Sequence, residues 1–471
     1  MKNNLLKKFL SFSIGGYINI LIGLFTVPIT TRMLSPEQYG ISSLVNTITN
    51  LLFVLCCLGL EQGFVRFFYD EEEENRGRLL YNCLYYPFFL TIFVSGALIL
   101  LKEQVSIFII GKYDINIIWI LILNIIFISL NNFSLLIIRM QQKGKLYSIF
   151  NVLIKVLEFV FILLLYKIYG NNYRTLVLSV LFSTIIVTVL SVYTERKFWK
   201  FKGKAKTTTA DLLKFSSPLV LTMALGWVFS SCDKIVIKIF SNLEEVGLYA
   251  GAFKIIALIS VIQNGFTTFW TPVIYEHYSK NPNDLIFFKK ANDYLSLLFF
   301  ILGIGVLLSR DILILLLGKK YYSSAFIMPM LIFIPIMYLI SETTMMGISF
   351  KKQTKCFLYI SIAVSITNLV GNIILVPYLG AKGAAISTGV SYILYFYLRT
   401  YFSTKLMNFG FNLKRIYFCI SLMGIYALIL SFYNNIYFTI IVGIILEFVL
   451  LMIYFPVLKE IYFKYKKGEI I

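Results

Sequence analysis

Long apolar stretches alternate with short polar connections along the whole chain of 471 residues. A membrane-spanning helix needs about 20 consecutive apolar residues, and the pattern predicts fourteen such helices. They cover roughly 9–31, 41–63, 81–101, 117–138, 147–167, 175–194, 215–237, 248–271, 292–309, 326–349, 356–376, 383–402, 416–434 and 436–457. We therefore expect an all-α polytopic membrane protein, in which the last two helices are joined by a very tight turn at Asn434–Asn435.

Two of the polar connections resemble each other and divide the pattern into halves. RMLSPEQYG (32–40) and IFSNLEEVGLY (239–249) each place a Ser before a Glu that is followed three residues later by Gly. The two Glu residues, Glu37 and Glu244, are 207 residues apart, and the next helix of each half contains Gly-Phe-x-x-Phe. Six spans is an even number, so two six-helix halves would run parallel around a central cavity. Chance similarity between apolar helices is the alternative.

This organisation predicts three parts. They are an N-terminal six-helix bundle over 1–205, a second six-helix bundle over 206–405, and two additional helices with a basic cytoplasmic tail over 406–471. The polar segment 195–214 reads as the linker between the halves. The acidic run DEEEE (70–74) reads as a solvated loop, with a docking site as the alternative.

Composition agrees with a membrane protein, since 59% of the residues are hydrophobic and 14% are charged. The net charge of +20 does not indicate nucleic-acid binding, because the basic residues are scattered between the apolar spans. Connections on one side carry about three times as many Lys and Arg residues as those on the other, which assigns them and both termini to the cytoplasm. The connections assigned to the inside include Lys2, Lys7 and Lys8 at the start, and Arg399, Lys405, Lys414, Arg415 and the stretch from Lys459 to Lys467 near the end.

Several kinds of chemistry have no signature in this sequence. The six cysteines lack CxxC or His-pair spacing, which argues against disulfides and metal sites. No G-x-x-x-x-G-K-[ST] motif is present, so direct use of ATP is not expected. No Ser/His/Asp or Cys/His arrangement is recognisable either, so we expect neither an enzyme nor a cofactor.

The residues from Arg32 through GLEQGFVRFFYDEEE (59–73) resemble the N-terminal signature of polysaccharide-biosynthesis membrane proteins. These are oligosaccharide-lipid flippases of the multidrug/oligosaccharidyl-lipid/polysaccharide exporter superfamily. VGLYAGAFKI (246–255) and NLVGNIILVPYLGAKGAAIST (368–388) look like later motifs of that family. The resemblance implies translocation of a polyprenyl-diphosphate-linked oligosaccharide from the inner to the outer leaflet of a bacterial plasma membrane. Prolines in or at the ends of the spans suit alternating access, and acids within the spans could take H⁺ or Na⁺ as a coupling ion. We also expect membrane lipids and glycan polymerase machinery as partners.

Basic residues within the spans are candidates for binding the diphosphate. Lys234 and Lys238 are four residues apart and share a helix face, and Lys254 lies one turn into the next helix. A diphosphate offers several acceptors to such point charges. The alternative is that these lysines extend toward the outside interface.

Acidic residues within the spans are candidates for ion coupling. On helix 5, Lys155 and Glu158 predict either a buried ion pair or a polar patch facing the cavity, so Lys155 is also a substrate-binding candidate and Glu158 a coupling candidate. The other coupling candidates are Asp233, Glu342 and Glu61. Charged groups at this depth are costly and therefore tend to face a cavity or a partner.

Other functions stay open at this stage. A multidrug cation antiporter of the same superfamily is the main alternative, although three lysines against one aspartate on helices 7 and 8 favour an anionic substrate. A membrane glycan polymerase or ligase is disfavoured by the lack of a large outer loop, and a non-transporting scaffold by the intramembrane charges. The sequence does not choose between capsular, exopolysaccharide, O-antigen and teichoic-type glycans.

Overall fold

A computed structural model describes the backbone of residues 2–466 and the side chains of residues 15–259, 262, 263, 265–464 and 466. The side chains of Lys2, Lys7, Lys8 and Lys467, which the sequence analysis used to orient the termini, lie outside that set. Between residues 2 and 466 the regular structure is helical and contains no strand. The expectation of an all-α protein is therefore confirmed.

The chain forms two compact units, Met1–Ile235 and Val236–Ile471. The helices that begin in the first unit are α1 Lys2–Met33, α2 Pro36–Cys57, α3 Leu60–Phe67, α4 Arg76–Leu100, α5 Lys102–Ile110, α6 Ile115–Met140, α7 Gly144–Tyr169, α8 Arg174–Thr194 and α9 Thr209–Phe240. Those of the second unit are α10 Leu243–Lys280, α11 Leu285–Leu308, α12 Arg310–Leu313, α13 Met328–Leu331, α14 Phe333–Thr344, α15 Met346–Phe350, α16 Lys355–Leu379, α17 Ala381–Leu406, α18 Leu413–Phe432, α19 Ile436–Ile453 and α20 Phe455–Lys466. The division into bundles at 205 and 405 stays a prediction.

Ten of the described helices are long and apolar enough to cross a membrane. The count becomes eleven if the bent pair Lys319–Phe326 and Met328–Thr344 forms one span. Three further long helices, α1, α10 and α17, also lie where the sequence predicts spans. The tight turn predicted between the last two spans is present between α18 and α19. The Asn435 side chain accepts the Phe438 N–H at 3.1 Å and caps α19.

Two predicted spans are broken in the structure rather than continuous. The span predicted at 41–63 is interrupted where Leu58 and Gly59 have positive φ angles of 50° and 68°, which end α2 and begin α3. The span predicted at 326–349 is divided into α13, α14 and α15, with a 58° bend at its start. Pro329 and Pro335 lie in this second segment, and each removes a helical N–H donor. Broken helices of this kind are tolerated at membrane depth where neighbouring protein covers the backbone.

The two predicted hinges are both present as two-residue helix breaks. In the first unit α1 ends at Met33 and α2 begins at Pro36, a residue suited to the first turn because it needs no N–H partner. At the start of the second unit α9 ends at Phe240, and the Asn242 side chain caps α10 by accepting the Glu245 N–H at 2.9 Å. The breaks fall at equivalent positions 207 residues apart, as the repeat in the sequence indicates.

The linker segment that follows α8 is docked onto the first unit. Glu71 is buried, and its carboxylate accepts the backbone N–H groups of Lys206 at 3.0 Å and Thr207 at 2.7 Å. Asn75 accepts the N–H of Lys204 at 3.0 Å. One member of the acidic run is therefore a structural anchor rather than a solvated side chain, and it ties the linker to the loop before α4.

We expect Glu71→Gln to lower the thermal midpoint near neutral pH and to have no effect in acid. Burial raises the pKa of the Glu71 carboxyl, but the backbone N–H groups of Lys206 and Thr207 outweigh burial and bring the pKa below its ordinary value. The stabilisation is then present above the unfolded pKa of about 4.3 and is lost as pH falls through the lower folded pKa. Hydrogen bonds to a charged group contribute about 1.5–3 kcal/mol, which sets the expected size.

The measurement compares the thermal midpoints of the wild type and the variant at about pH 7 and about pH 3. Glu72→Gln is the matched control, because Glu72 pairs with Lys206 at 3.3 Å on the surface, where both side chains are about 70% exposed. Such a surface pair contributes about 0–1 kcal/mol. Equal effects of the two substitutions near pH 7 would contradict the anchoring role of Glu71.

Candidate functional site

The polar patch on α7 contains an ion pair. Lys155 and Glu158 are three residues apart on this helix, and their charged atoms are 2.7 Å apart. The lysine side chain is 48% exposed and the glutamate side chain 20% exposed, so the pair is less buried than a core ion pair. Tyr39 of α2 lies within electrostatic range of both charges. The two charges neutralise each other. Two of the eight predicted site residues are thus paired with one another.

The three candidates near the end of α9 differ in burial. Asp233 is 3% exposed, whereas Lys234 and Lys238 are half-buried. The two lysines are one helical turn apart and therefore share a face of α9, as predicted. Among the described residues Lys238 has no ion-pair partner. This face presents positive charge at the helix end that precedes the second hinge.

Lys254 lies about three turns into α10, which begins at Leu243 directly after the hinge. Its side chain is exposed, and within the described part of the chain it has no ion-pair partner. A lysine in this position remains available to an anionic ligand or to the membrane interface.

Glu342 is paired with a residue that the sequence analysis did not single out. The carboxylate of Glu342 on α14 and the guanidinium of Arg399 on α17 are 2.9 Å apart, and both side chains are 5% exposed. Arg399 also donates to the Ser341 hydroxyl at 2.5 Å and lies over the Tyr395 ring at 4.9 Å. The charge pattern of the sequence places Arg399 in a basic inside connection, but in the structure Arg399 is buried within α17. Its position at the end of the 383–402 span was the signal that could have identified it.

Glu61 lies at the break between α2 and α3. Its side chain is 4% exposed, and neither carboxyl oxygen has a partner from another residue in the described part of the chain. Gly63, half a turn further on, packs so closely against α9 that an added Cβ would lie 2.9 Å from the Ser216 hydroxyl. That hydroxyl also lacks a partner among the described residues. Glu61 and Ser216 are therefore two buried polar groups near the α2–α3 break that lack a partner among the described residues.

A charged cluster at the N-terminal ends of α6 and α8 connects these two helices. Asp114 caps α6 by accepting the Asn116 N–H at 3.0 Å, and it also accepts the Tyr173 hydroxyl at 2.9 Å. Burial raises the pKa of Asp114, but the hydrogen bond from Arg174 and those from Asn116 and Tyr173 outweigh it and bring the pKa to about 2. This cluster is structural, because the Asp114 carboxylate accepts from Asn116 on α6 and from Tyr173 and Arg174 at the start of α8.

Metal-ligating groups do not cluster in the described residues, where no three His, Cys, Asp or Glu side chains are placed to hold a metal ion. The arrangement of charges is instead suited to binding and movement of an ionic ligand. Exposed or half-exposed cations lie on α9 and α10, and the acids Glu158 and Glu342 are already neutralised.

A family model and a protein of known sequence each match more than half of this chain. Residues 5–277 match the model of the family described as polysaccharide biosynthesis protein. The chain is 23% identical over 404 residues to Lsg locus putative protein 1 of Haemophilus influenzae, covering 82% of this chain and 96% of that protein.

Two kinds of solved structure share the fold. The inward closed conformation of the lipid II flippase MurJ aligns with a TM-score of 0.70 at 18% identity, over 95% of this chain and 99% of that chain. An inward-facing multidrug resistance transporter of the MATE family, in the MOP superfamily, aligns with a TM-score of 0.56 at 14% identity, over 86% and 96% of the two chains. At these identities the likeness establishes the fold alone, which is that of a multi-pass helical membrane protein.

Proposed function

Since this chain belongs to the polysaccharide biosynthesis protein family, we propose that it moves a polyprenyl-diphosphate-linked oligosaccharide from the inner to the outer leaflet by alternating access. The observation that carries the proposal is the fold, which matches the lipid II flippase MurJ over 95% of the chain with a TM-score of 0.70. That protein is described as a flippase of lipid II, and a flippase is the class of transporter proposed here. The proposed location is the bacterial plasma membrane, with both termini in the cytoplasm.

The charge distribution supports an anionic substrate over a cationic drug. Lys238 and Lys254 have no ion-pair partners among the described residues, so their charges are available to a diphosphate. Glu158 and Glu342, which could attract a cation, are each held by a basic partner at 2.7 Å and 2.9 Å. We therefore assign substrate binding to Lys238 and Lys254, and we add Lys234 because it shares a face of α9 with Lys238. Lys155 has a lesser part because Glu158 neutralises it.

Ion coupling is best assigned to Glu61. An ionised carboxylate with no partner is costly in a buried environment, so this group favours a bound proton or a bound cation. Glu158 and Glu342 are engaged in ion pairs, and Asp233 also interacts with other groups. We propose that Glu61 exchanges a proton when the broken α2–α3 segment is opened to water.

A sidedness assay tests the proposed function. In cells depleted of the protein, lipid-linked oligosaccharide should accumulate on the inner leaflet, where an impermeant sugar-labelling probe does not reach it. The wild type should restore labelling, whereas the double variant Lys238→Gln/Lys254→Gln should restore it about tenfold less, because each lost cation weakens the hold on the diphosphate. Lys112→Gln, which removes an exposed cation from the turn before α6, is the control and should behave as the wild type.

The alternative function is a multidrug cation antiporter of the same superfamily. The fold likeness to MATE transporters is the observation that favours it. Normal labelling of the outer leaflet in depleted cells, together with increased sensitivity to cationic dyes, would establish the antiporter and overturn the flippase. In either case the proposed activity is transport without group transfer. For the flippase, glycan polymerase machinery would act on the translocated product.

A further inference from the structure

A basic cleft opens at one end of the first unit. Its volume is about 1180 Å³, and its walls come from three connections: the loop between α3 and α4, the turn between α6 and α7, and the segment after α8. α4 and α7 begin at this end, and α6 and α8 finish at it. The cleft is therefore at a membrane interface, directly beside the ends of four helices.

The lining of the cleft is rich in cations. Six basic side chains contribute to it, namely Arg76, Lys143, Arg196, Lys197, Lys200 and Lys202. The acidic members are Glu73, Glu74 and Glu195. Glu195 is buried and is neutralised by Lys143 at 2.5 Å and by the Gln141 amide at 2.8 Å.

The remaining positive charge is concentrated in the segment after α8. Arg196, Lys197, Lys200 and Lys202 are all exposed, and none of them has an ion-pair partner within the described part of the chain. A cluster of four such cations repels itself unless an anion lies among them. The cleft thus has a surplus of donors for an anionic ligand.

Specific contacts hold the walls of the cleft in place. The Arg76 side chain is 14% exposed, lies over the Phe68 ring at 4.5 Å, and donates through Nε to the Phe68 carbonyl at 3.1 Å. Gly203 has a φ of +91°, and a Cβ there would be 2.4 Å from the Asn75 side-chain oxygen. These contacts fix the cationic segment against the α3–α4 loop. One terminal nitrogen of this guanidinium pairs with the largely exposed Glu73 at 3.5 Å. The other terminal nitrogen can donate to a phosphate oxygen.

The surroundings of the cleft match a lipid better than a soluble anion. Tyr69, which lines the cleft, and Tyr193, which lies beneath Arg196 at 5.5 Å, are 55% and 67% exposed. Exposed aromatic side chains at helix ends are typical of the depth at which lipid headgroups lie. Basic pockets between helix ends on the cytoplasmic side bind anionic headgroups for the same reason.

We propose that this cleft binds the phosphate headgroup of an anionic membrane lipid. Arg76 contacts the phosphate oxygens, and Lys200 and Lys202 supply the neighbouring positive charge. A bound lipid would neutralise the segment after α8 and hold it against the first unit. The site lies wholly in the first unit and does not depend on the proposed transport activity.

Native mass spectrometry of the full-length protein in detergent tests the proposal, with phosphatidylglycerol as the titrated lipid and phosphatidylcholine as the uncharged comparison. The wild type should retain phosphatidylglycerol in preference to phosphatidylcholine. Lys200→Gln/Lys202→Gln should weaken that binding about tenfold, because two cations next to the phosphate are removed. Both lysines are exposed, so the fold should be unaffected, and an unchanged thermal midpoint would verify this.

The matched control is Lys145→Gln/Lys204→Gln, which removes the same charge from exposed positions at the same end of the unit but outside the cleft. It should bind phosphatidylglycerol as the wild type does. Equal weakening by both double variants would show that the surface attracts lipid without a site, and would overturn the proposal. Inorganic pyrophosphate is the second probe. Displacement of the lipid by pyrophosphate at equal concentration would assign the cleft to a soluble phosphate and would also overturn it.

Discussion

Replacing Arg399 with methionine should destabilise the protein more than any other single substitution discussed here. Arg399 and Glu342 are each 5% exposed and are 2.9 Å apart, so removing the guanidinium leaves a buried, unpaired carboxylate. Breaking a buried ion pair in this way costs about 3–5 kcal/mol. The Ser341 hydroxyl loses its donor at the same time. We expect a large fall in the yield of folded protein and in the temperature at which the monodisperse peak disappears on size-exclusion chromatography after heating.

The double variant Glu342→Met/Arg399→Met separates the contribution of the ion pair to stability from the contribution of side-chain packing. Apolar residues of similar volume often replace a buried ion pair without loss of stability, so the double variant should be more stable than Arg399→Met alone. Arg399→Lys should also be destabilising, since an ammonium group does not reproduce the planar fork that reaches both Glu342 and Ser341. A single Arg399→Met variant with wild-type stability would show that the pair contributes nothing.

Glu61→Gln should preserve folding and abolish proton coupling. Glutamine has the same shape as the protonated acid, and both carboxyl oxygens of Glu61 lack a partner from another described residue, so no ion pair is lost. Stability should be unchanged or slightly higher, because the cost of burying an ionised carboxylate is removed. The proton-driven flux of lipid-linked substrate should fall by about tenfold or more, the range of a typical coupling free energy.

The measurement uses proteoliposomes that contain a pH-sensitive dye, an imposed pH gradient and the lipid-linked substrate. Glu103→Gln is the matched control, since Glu103 is an exposed acid at the start of α5 in the same unit and should leave proton uptake unchanged. Full proton uptake by Glu61→Gln would exclude this residue as the proton carrier. A flux that depends on Na⁺ in the wild type and is insensitive to the pH gradient would assign the coupling to sodium instead.

Local features of the structure were accessible from the sequence, and long-range pairs were not. The helix positions follow from apolar runs, and the two hinges from the repeat of Ser, Glu and Gly. The Lys155–Glu158 pair follows from a spacing of three residues on one helix. By contrast, Glu342 and Arg399 come together because α14 packs against α17, and no spacing rule connects residues so far apart along the chain.

The same reason explains two other omissions. Glu71 was read as part of a solvated acidic run because its partners, the N–H groups of Lys206 and Thr207, are backbone groups on a distant segment. The lack of a hydrogen-bond partner for Glu61 among the described residues was not predictable either. The sequence shows an acidic residue within a span, but it does not show which side chains of other helices contact that residue. The helix breaks at Leu58–Gly59 and after Phe326 were not predicted, because the apolar content of a segment does not indicate where its helix ends or bends.

The docked linker also bears on how the protein is synthesised. Its partners Glu71, Asn75 and Asn82 all precede it in the chain and have left the ribosome before residues 204–207 emerge. The linker can therefore dock while the second unit is still being translated, and the first eight helices can close as a finished assembly. Growing chains generally fold from the N-terminus in this way. The contacts of Glu71 with the linker can thus form before the second unit is complete.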